Sequence, residues 1–287
     1  MPRRHPLRDI RPDGCLIIIG GREDKEDQME ILGEVARRIG KGTLVIASLA
    51  SQLPRELWTD YRRIFKCLGV KTIKHLHVET HEEARRQKNA DILQGAAGVF
   101  FTGGDQLKIT TRIGGTPVFD RVLEIFSGGG VIAGTSAGAA AMGETMLVGS
   151  ESQESHKVGN WLMAPGLGLL KETIIDQHFA QRGRIGRLLG AVSLNPGILG
   201  IGIDEDTAIM VQDRKAHVIG VNAVYVIDGR DVSYTNVTEA AAERTMSMHD
   251  VKLHILCSGE SFDIDSRRPI VQRADAGSPP HVRNDRI

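Results

Sequence analysis

The chain has 287 residues, of which 41% are hydrophobic and 25% are charged, so it is long enough to bury a full core. Its 36 Lys and Arg residues balance 36 Asp and Glu residues, which excludes a strongly basic protein that binds nucleic acid or anionic membranes through its overall charge. No signal peptide or membrane span is predicted, and Cys15, Cys67 and Cys257 lack the spacing of a disulfide framework or a zinc site, so we expect a cytoplasmic protein.

Strand and helix patterns alternate through the first half of the chain. Short apolar runs predict buried strands, and the segments between them place apolar residues at helical spacing. This order predicts a doubly wound, mostly parallel mixed sheet flanked by helices, in a single α/β catalytic domain over residues 1–273. The predicted strands are Cys15–Ile19, Thr43–Ala47, Thr72–Val78, Gly98–Phe101 and Val131–Ala133, and the predicted helices are Gln28–Ile39, Arg55–Leu68, Glu82–Gln94 and one that ends at Ser127.

A different pattern follows the fifth strand. Shorter strands suited to antiparallel pairing are predicted, and we expect them to join the same mixed sheet. The polar segment 149–160 is interpreted as a lid, part of a substrate groove or an exposed connector, and residues 274–287 as a flexible tail. The later predicted strands are Thr173–Asp176, Gly200–Ile203, Ala208–Gln212, His217–Ile219 and Val224–Asp228.

The segment Gly134–Ala139, with the sequence Gly-Thr-Ser-Ala-Gly-Ala, is typical of a nucleophile elbow. It follows a predicted strand and precedes an alanine-rich run, so Ser136 occupies a sharp strand-to-helix turn at the carboxyl end of a strand. Small neighbours allow the tight turn and leave the hydroxyl accessible. We therefore interpret Ser136 as a candidate nucleophile, the alternative being a serine that only caps the helix.

A serine nucleophile needs a base, normally a histidine oriented by a carboxylate. His178 is the preferred base because it follows a predicted strand, and His156 is the alternative. His75 and His77 alternate along another strand; metal ligands are one interpretation, but a solvated strand edge is favoured and no metal site is predicted.

Three acidic residues lie at the end of a predicted strand and are candidates for the carboxylate that orients the histidine, the third member of a catalytic triad. They are Asp204, Glu205 and Asp206. Alternation along a strand opposes Glu205 to the other two, but it does not tell which of them faces the histidine. The order serine, histidine, acid also differs from that of the α/β-hydrolases, in which the acid precedes the histidine.

Taken together, five motifs resemble the cyanophycinases, serine-type exopeptidases of the peptidase E group. The resemblance extends from Gly20 to about Pro269, and five ordered motifs are far more specific than any one of them. The motifs are Gly20-Gly21-x-Glu23-Asp24-Lys25, Thr102-Gly103-Gly104-Asp105-Gln106, Gly134-Thr135-Ser136-Ala137-Gly138-Ala139, Asp176-Gln177-His178-Phe179 and Asp204-Glu205-x-Thr207-Ala208.

The resemblance implies a fold like that of class I glutamine amidotransferases, which is flavodoxin-like, with serine in place of cysteine at the elbow. It implies a triad of Ser136, His178 and Glu205, and an oxyanion hole formed by backbone N–H groups of Gly104 and Ala137. It further implies a homodimer and no cofactor.

The substrate that the resemblance implies is cyanophycin, a polyaspartate whose β-carboxyls carry arginine, which would be hydrolysed to β-Asp-Arg. Such a substrate presents both carboxylates and guanidinium groups, so we expect polar and charged side chains around the triad, arginines above all. The candidate substrate-binding residues are Asp105, Gln106, Asp176, Gln177, Arg182, Arg184 and Arg187.

Two other functions are compatible with the same sequence. One is a peptidase E-like dipeptidase that acts on small aspartyl peptides; the other is a non-catalytic binding protein with the same fold. Turnover of the polymer and labelling of Ser136 by a serine-reactive probe would distinguish them.

Overall fold

The computed structural model describes residues 13–148, 157–158, 161–240 and 244–271. The predicted tail, His156 and most of the predicted lid segment lie outside these residues. The described helices are α1 Glu30–Ile39, α2 Pro54–Cys67, α3 His81–Arg85, α4 Gln87–Ala90, α5 Gln106–Ile113, α6 Pro117–Ser127, α7 Ala137–Ala140 and α8 Ile185–Leu194, with a 3-10 turn at Asp91–Leu93. None of the described helices combines the length and the apolar character that a membrane crossing needs.

The first nine strands include the five predicted in the first half of the chain. They are β1 Cys15–Ile19, β2 Thr43–Ala47, β3 Thr72–Leu76, β4 Ala96–Phe101, β5 Val131–Thr135, β6 Gly143–Leu147, β7 Met163–Pro165, β8 Leu170–Gln177 and β9 Leu199–Ile203. The remaining strands are β10 Thr207–Gln212, β11 Lys215–Gly220, β12 Val224–Asp228, β13 Tyr234–Thr235, β14 Met248–His249, β15 Lys252–Leu256, β16 Ser261–Asp263 and β17 Arg268–Ile270.

The main sheet has nine strands in the order β17-β16-β11-β10-β1-β5-β4-β2-β3. Its half from β1 to β3 is parallel, and β10 adds to β1 in the antiparallel direction. Residues Cys15, Ile17 and Ile19 of β1 pack into one hydrophobic cluster, whereas Leu16 and Ile18 pack into another. The parallel half is therefore covered on both faces, as the predicted α/β architecture requires.

A second sheet has six strands in the order β15-β12-β9-β8-β6-β7. The expectation that the later strands complete a single sheet is therefore wrong. Antiparallel pairing is confirmed for β9 with β12 and for β10 with β11, but β8 pairs in parallel with both β6 and β9. Helix α8 supplies the crossover between β8 and β9, which is the connection that a parallel pair needs.

Two long predicted helices are divided. The helix predicted over Glu82–Gln94 breaks at Arg86, whose backbone is extended (φ −73°, ψ 125°) between α3 and α4. The helix predicted to end at Ser127 becomes α5 and α6, because Gly115 has φ 68° and Thr116 caps a new helix that begins with a proline. Apolar periodicity continued through both breaks and concealed them.

The two sheets meet through backbone hydrogen bonds around the end of β1. His178 N donates to Gly20 O at 2.8 Å, and Asp206 N donates to Gly21 O at 2.9 Å. Ser136 N donates to Ile19 O at 3.0 Å. The loops that follow β1, β5, β8 and β9 are thus brought to one edge of the molecule, where the predicted motifs converge.

Candidate active site

Ser136 lies in a sharp turn between β5 and α7. Its backbone has a positive φ (φ 53°, ψ −111°), which is uncommon for a residue with a Cβ atom and is typical of strained functional turns. The flanking glycines are needed sterically. A Cβ on Gly138 would lie 2.4 Å from Phe101 O, and a Cβ on Gly134 would lie 2.7 Å from the backbone of Gly138. The predicted elbow is therefore the conformation that the chain adopts.

His178 is brought to the serine from the second sheet, at the end of β8. Its Nε2 lies 2.9 Å from Ser136 Oγ. The residue is buried and also has a positive φ (48°), and its imidazole packs against Gly21, where a Cβ would lie only 2.3 Å from the ring carbon Cε1. Glycine at position 21 therefore makes room for the ring that contacts the serine.

Glu205 completes a chain of contacts that begins at Ser136. Its Oε1 lies 2.7 Å from His178 Nδ1. The two neighbouring carboxylates are engaged elsewhere: Asp204 accepts from Ala180 N at 2.8 Å, and Asp206 accepts from Asp24 N at 2.8 Å. Of the three acids that strand alternation left open, Glu205, the one that the resemblance implied, lies at the imidazole.

The surroundings of His178 act on its pKa in opposite directions. Burial lowers the pKa most, the hydrogen bond to Glu205 raises it, and the positive charges of Arg182 and Arg184 lower it. The net result is a pKa below the ordinary histidine value. At neutral pH the imidazole is therefore neutral, and with its proton on Nδ1 it can accept the serine proton at Nε2.

The oxyanion hole is predicted to use the backbone N–H groups of Gly104 and Ala137. Ala137 is the first residue of α7, directly after the serine, and Gly103 is close enough that a Cβ there would lie 3.5 Å from Ser136 Cβ. Within the described residues, neither Gly104 N nor Ala137 N donates a hydrogen bond. Gly104 has φ 140° and packs against Ala50, so the loop needs glycine there.

The predicted substrate-binding residues Asp176, Gln177, Arg184 and Arg187 contact one another instead of facing solvent. Asp176 is 1% exposed and receives two hydrogen bonds from Arg187, the Nε bond measuring 2.6 Å. Arg184 Nη1 lies 3.2 Å from Asp176 Oδ1 and donates to Gln177 Oε1 at 2.7 Å, and burial lowers the pKa of Arg184 to about 10. In this arrangement the guanidinium groups neutralise a buried carboxylate beside the triad.

The other predicted contact residues are more open. Arg182 and Asp105 are exposed, and the Asp105 carboxylate caps α5 by accepting from Leu107 N at 2.9 Å. Gln106 is half-buried and donates to Leu147 O at 2.7 Å, which joins α5 to β6. Arg182 and Asp105 are thus the predicted contacts whose side chains are accessible to a ligand.

His75 and His77 occupy β3 and its end, away from the triad. His75 stacks on Trp58 with ring centroids 4.6 Å apart, its Nε2 lies 2.7 Å from Ser48 Oγ, and burial lowers its pKa to about 4. His77 Nδ1 lies 3.2 Å from Ser48 O. The described residues contain no group of three or more ligating side chains that could hold a metal ion.

Glu23 is a buried carboxylate beneath the elbow to which the sequence assigned no role. Tyr61 Oη donates to its Oε1 at 2.5 Å, and Thr135 Oγ1, from the residue before the nucleophile, donates to Oε2 at 2.6 Å. Burial and the Glu23 charge raise the pKa of Tyr61 well above its usual value, so the phenol remains a donor. The Glu23-Asp24-Lys25 motif was the available signal, but its partners are remote in sequence.

Comparisons with known proteins identify the family of this chain. The model of "Peptidase family S51" matches residues 16–219. A cyanophycinase from Trichormus variabilis is 38% identical over 265 residues, covering 90% of this chain and 89% of the relative. A cyanophycinase from Geminocystis herdmanii is 38% identical over 259 residues, covering 89% and 95%.

A solved structure supports the fold independently. The crystal structure of a peptidase from an acI-B1 actinobacterium superposes with a TM-score of 0.66 at 22% sequence identity, covering 87% of this chain and 96% of that one. The family match spans the elbow, His178 and Glu205, and the relatives cover nearly the whole chain. This chain belongs to peptidase family S51 and is a peptidase.

Proposed function

We propose that this peptidase is a serine-type exopeptidase that hydrolyses cyanophycin to β-Asp-Arg, with Ser136, His178 and Glu205 as its triad. The observation that carries the proposal is the unbroken chain of contacts from Ser136 Oγ to His178 Nε2 at 2.9 Å and from His178 Nδ1 to Glu205 Oε1 at 2.7 Å. The substrate follows from relatives that are cyanophycinases and 38% identical over about nine-tenths of the chain.

In the first half of the reaction, His178 accepts the Ser136 proton as Oγ attacks the aspartyl α-carbonyl carbon. The carbonyl π electrons move to oxygen and give a tetrahedral oxyanion. When this intermediate collapses, the C–N bond breaks and the imidazolium of His178 protonates the departing amine. Glu205 stabilises the imidazolium through its bond to Nδ1, and an ester of Ser136 remains.

In the second half, water attacks the ester carbonyl and His178 accepts a proton from the water. Collapse of the second tetrahedral intermediate breaks the bond to Oγ, and the proton returns to Ser136. The product is a free carboxylic acid, and the enzyme is restored. The Oγ–C bond that forms in the acylation half is thus broken in the deacylation half, and the same base serves both.

The oxyanion of both intermediates is proposed to accept hydrogen bonds from the amides of Gly104 and Ala137. Two features support this role: the Gly103-Gly104 loop lies against Ser136, and neither amide donates to another described residue. Preorganised donors of this kind each typically contribute a factor of about a hundred to a thousand in rate.

For substrate recognition, we assign direct contact to Arg182 and Asp105, whose side chains are exposed. Asp176, Gln177, Arg184 and Arg187 remain candidates that would need to exchange their internal bonds for a ligand. Because Arg184 is adjacent to both the buried carboxylate and the histidine, we propose that this cluster positions the β8 end beneath the substrate.

We further propose a homodimer that acts in the cytoplasm, with a single catalytic domain over residues 1–273. The thiols of Cys15, Cys67 and Cys257 are all free, which suits a reducing compartment. Light scattering should give about twice the 31.3 kDa chain mass, and a mass equal to one chain would contradict the dimer.

The decisive experiment compares the wild type with Ser136→Ala on insoluble cyanophycin, followed by mass analysis of the supernatant. Release of β-Asp-Arg by the wild type alone supports the proposal. An enzyme that releases nothing but is labelled at Ser136 by a fluorophosphonate would instead be tested on small aspartyl peptides. Absence of both activities and of labelling would favour a non-catalytic binding protein.

A further inference from the structure

Arg22 is an exposed cation beside the acid of the proposed triad, at the variable position of the Gly20-Gly21-x-Glu23 motif. Its side chain is 75% exposed, its Nε lies 3.5 Å from Glu205 Oε1, and its Nη1 lies 3.5 Å from Oε2. An exposed ion pair of this length contributes little to stability. Glu205 therefore keeps the guanidinium nearby without holding it firmly.

Two of the three arginines that the sequence singled out nearby are less free to bind an anion. Arg184 and Arg187 already pair with the buried carboxylate of Asp176. Arg182 is exposed, but it comes from the segment after β8. Arg22 adds a solvent-accessible guanidinium from a different segment, the loop after β1. The triad is thus flanked by exposed arginines from two separate loops.

The backbone fixes Arg22 next to the base. Gly21 packs against the His178 ring, and consecutive Cα atoms are only about 3.8 Å apart. On its other side, Glu23 is anchored beneath the elbow by Tyr61 and Thr135. Arg22 itself has φ 46°, an unfavourable conformation for a residue with a Cβ, and such strain is concentrated at functional sites.

We propose that Arg22 binds a carboxylate of the substrate and is a specificity-determining residue of the proposed exopeptidase reaction, on which this inference rests. Its planar guanidinium can hold a carboxylate through two parallel hydrogen bonds. Cyanophycin presents such groups at its chain terminus and on each linked arginine. When Arg22 turns to the substrate, Glu205 keeps its shorter 2.7 Å contact with His178.

The test uses three soluble substrates: an oligomer of β-Asp-Arg units, the same oligomer with its carboxyl terminus amidated, and the same oligomer built with argininamide. The variants are Arg22→Ala and Arg22→Lys. The matched control is Arg37→Ala, which removes an arginine that is 67% exposed and 2.6 Å from Glu34. Arg37 lies in the last turn of α1, at the sheet edge opposite the triad.

On the unmodified oligomer, Arg22→Ala should raise KM by roughly fivefold to twentyfold with kcat within about twofold of wild type. The KM of Arg22→Lys should lie between those of the wild type and Arg22→Ala, because lysine keeps the positive charge but cannot form two parallel hydrogen bonds to a carboxylate. Arg37→Ala should match the wild type. The Arg22→Ala effect should disappear on whichever amidated oligomer lacks the partner carboxylate, which identifies that carboxylate.

Three results would overturn the inference. One is an unchanged KM in Arg22→Ala, and another is the same increase in KM on all three substrates. The third is a fall in kcat with a displaced pH profile on every substrate, which would mean that Arg22 acts through Glu205. A wild type that leaves the unmodified oligomer intact would instead refute the proposed function itself.

Discussion

Replacing Gly21 with alanine should displace the imidazole of His178 without removing any of the proposed catalytic groups. The new Cβ would lie 2.3 Å from Cε1, 2.5 Å from Nε2 and 3.0 Å from Nδ1. Ordinary van der Waals contact begins at 3.4 Å, so the ring must move by about 1 Å. The φ of 102° at this position adds backbone strain for any residue with a Cβ.

The size of the effect follows from the two bonds of the imidazole. The ring is held at 2.7 Å by Glu205 on one side and lies 2.9 Å from Ser136 Oγ on the other, so a shift of about 1 Å disrupts at least one of them. Misplacement by that distance typically reduces rate by about a hundredfold. We therefore expect kcat to fall about a hundredfold, equivalent to about 2.7 kcal/mol in activation free energy.

The assay measures kcat and KM for release of β-Asp-Arg, together with the free energy of unfolding in urea. Gly33→Ala is the matched control, because Gly33 is inside α1 and a Cβ there has no heavy atom within 4 Å. That control should keep wild-type kcat and gain up to about 1 kcal/mol of stability from helix propensity. Gly21→Ala should lose activity while losing only about 1–2 kcal/mol of stability.

A folded Gly21→Ala protein with wild-type kcat would refute this reasoning. It would show either that the His178 ring is not packed on Gly21 or that another group is the base. Labelling of Ser136 by a fluorophosphonate gives a second measure, since it should slow in parallel with kcat if the histidine activates the serine.

Three further predictions concern charges around the site. His178 acts as base only when neutral, so kcat/KM should fall as pH drops through its pKa. Arg182→Gln removes a charge that lowers this pKa and should move the acid limb to higher pH; about 1 M salt, which screens that charge in the wild type, should bring the two pH profiles together. Glu205→Gln removes a bond that raises the same pKa, so the limb should move to lower pH while the plateau of kcat falls about a thousandfold or more; a plateau near that of wild type would exclude Glu205 from the triad. Asp176→Asn leaves the guanidinium of Arg187 buried without its carboxylate and should reduce the free energy of unfolding by about 3 kcal/mol; a change below about 0.5 kcal/mol in urea unfolding would contradict a buried ion pair.

The strands of the parallel half were predictable because their signals are local. The apolar runs at Cys15–Ile19 and Thr43–Ala47 are strands with the predicted bounds, since burial on both faces leaves no polar residue to alternate. The elbow was predictable for a similar reason. The glycines around Ser136 are required by close backbone contacts, either within a few residues of the chain or with the adjacent strand.

The pairing of strands that are distant in the sequence was harder to predict. Strand β8 resembles an antiparallel strand in length and setting, but it pairs in parallel on both sides, and this depends on which strands reach it in three dimensions. The same limit applies to the arginines after His178. The sequence predicted that they lie beside the triad as substrate-binding residues, whereas in the structure Arg184 and Arg187 turn inward onto the carboxylate of Asp176.

By itself the sequence determined the α/β class, the serine at the elbow and a short list of partners for it. Strand alternation left open which acid meets His178, and the family resemblance implied Glu205. Only the tertiary structure gives the physical reason: Asp204 and Asp206 accept hydrogen bonds from backbone groups of distant loops, whereas the Glu205 carboxylate lies 2.7 Å from the imidazole. It also decided that Arg22 and Glu23 lie at the site, Arg22 beside the Glu205 carboxylate and Glu23 bonded to Thr135 next to the serine. Local propensity acts over a few residues, whereas these contacts join loops from two sheets whose meeting is set by the packing of the whole chain.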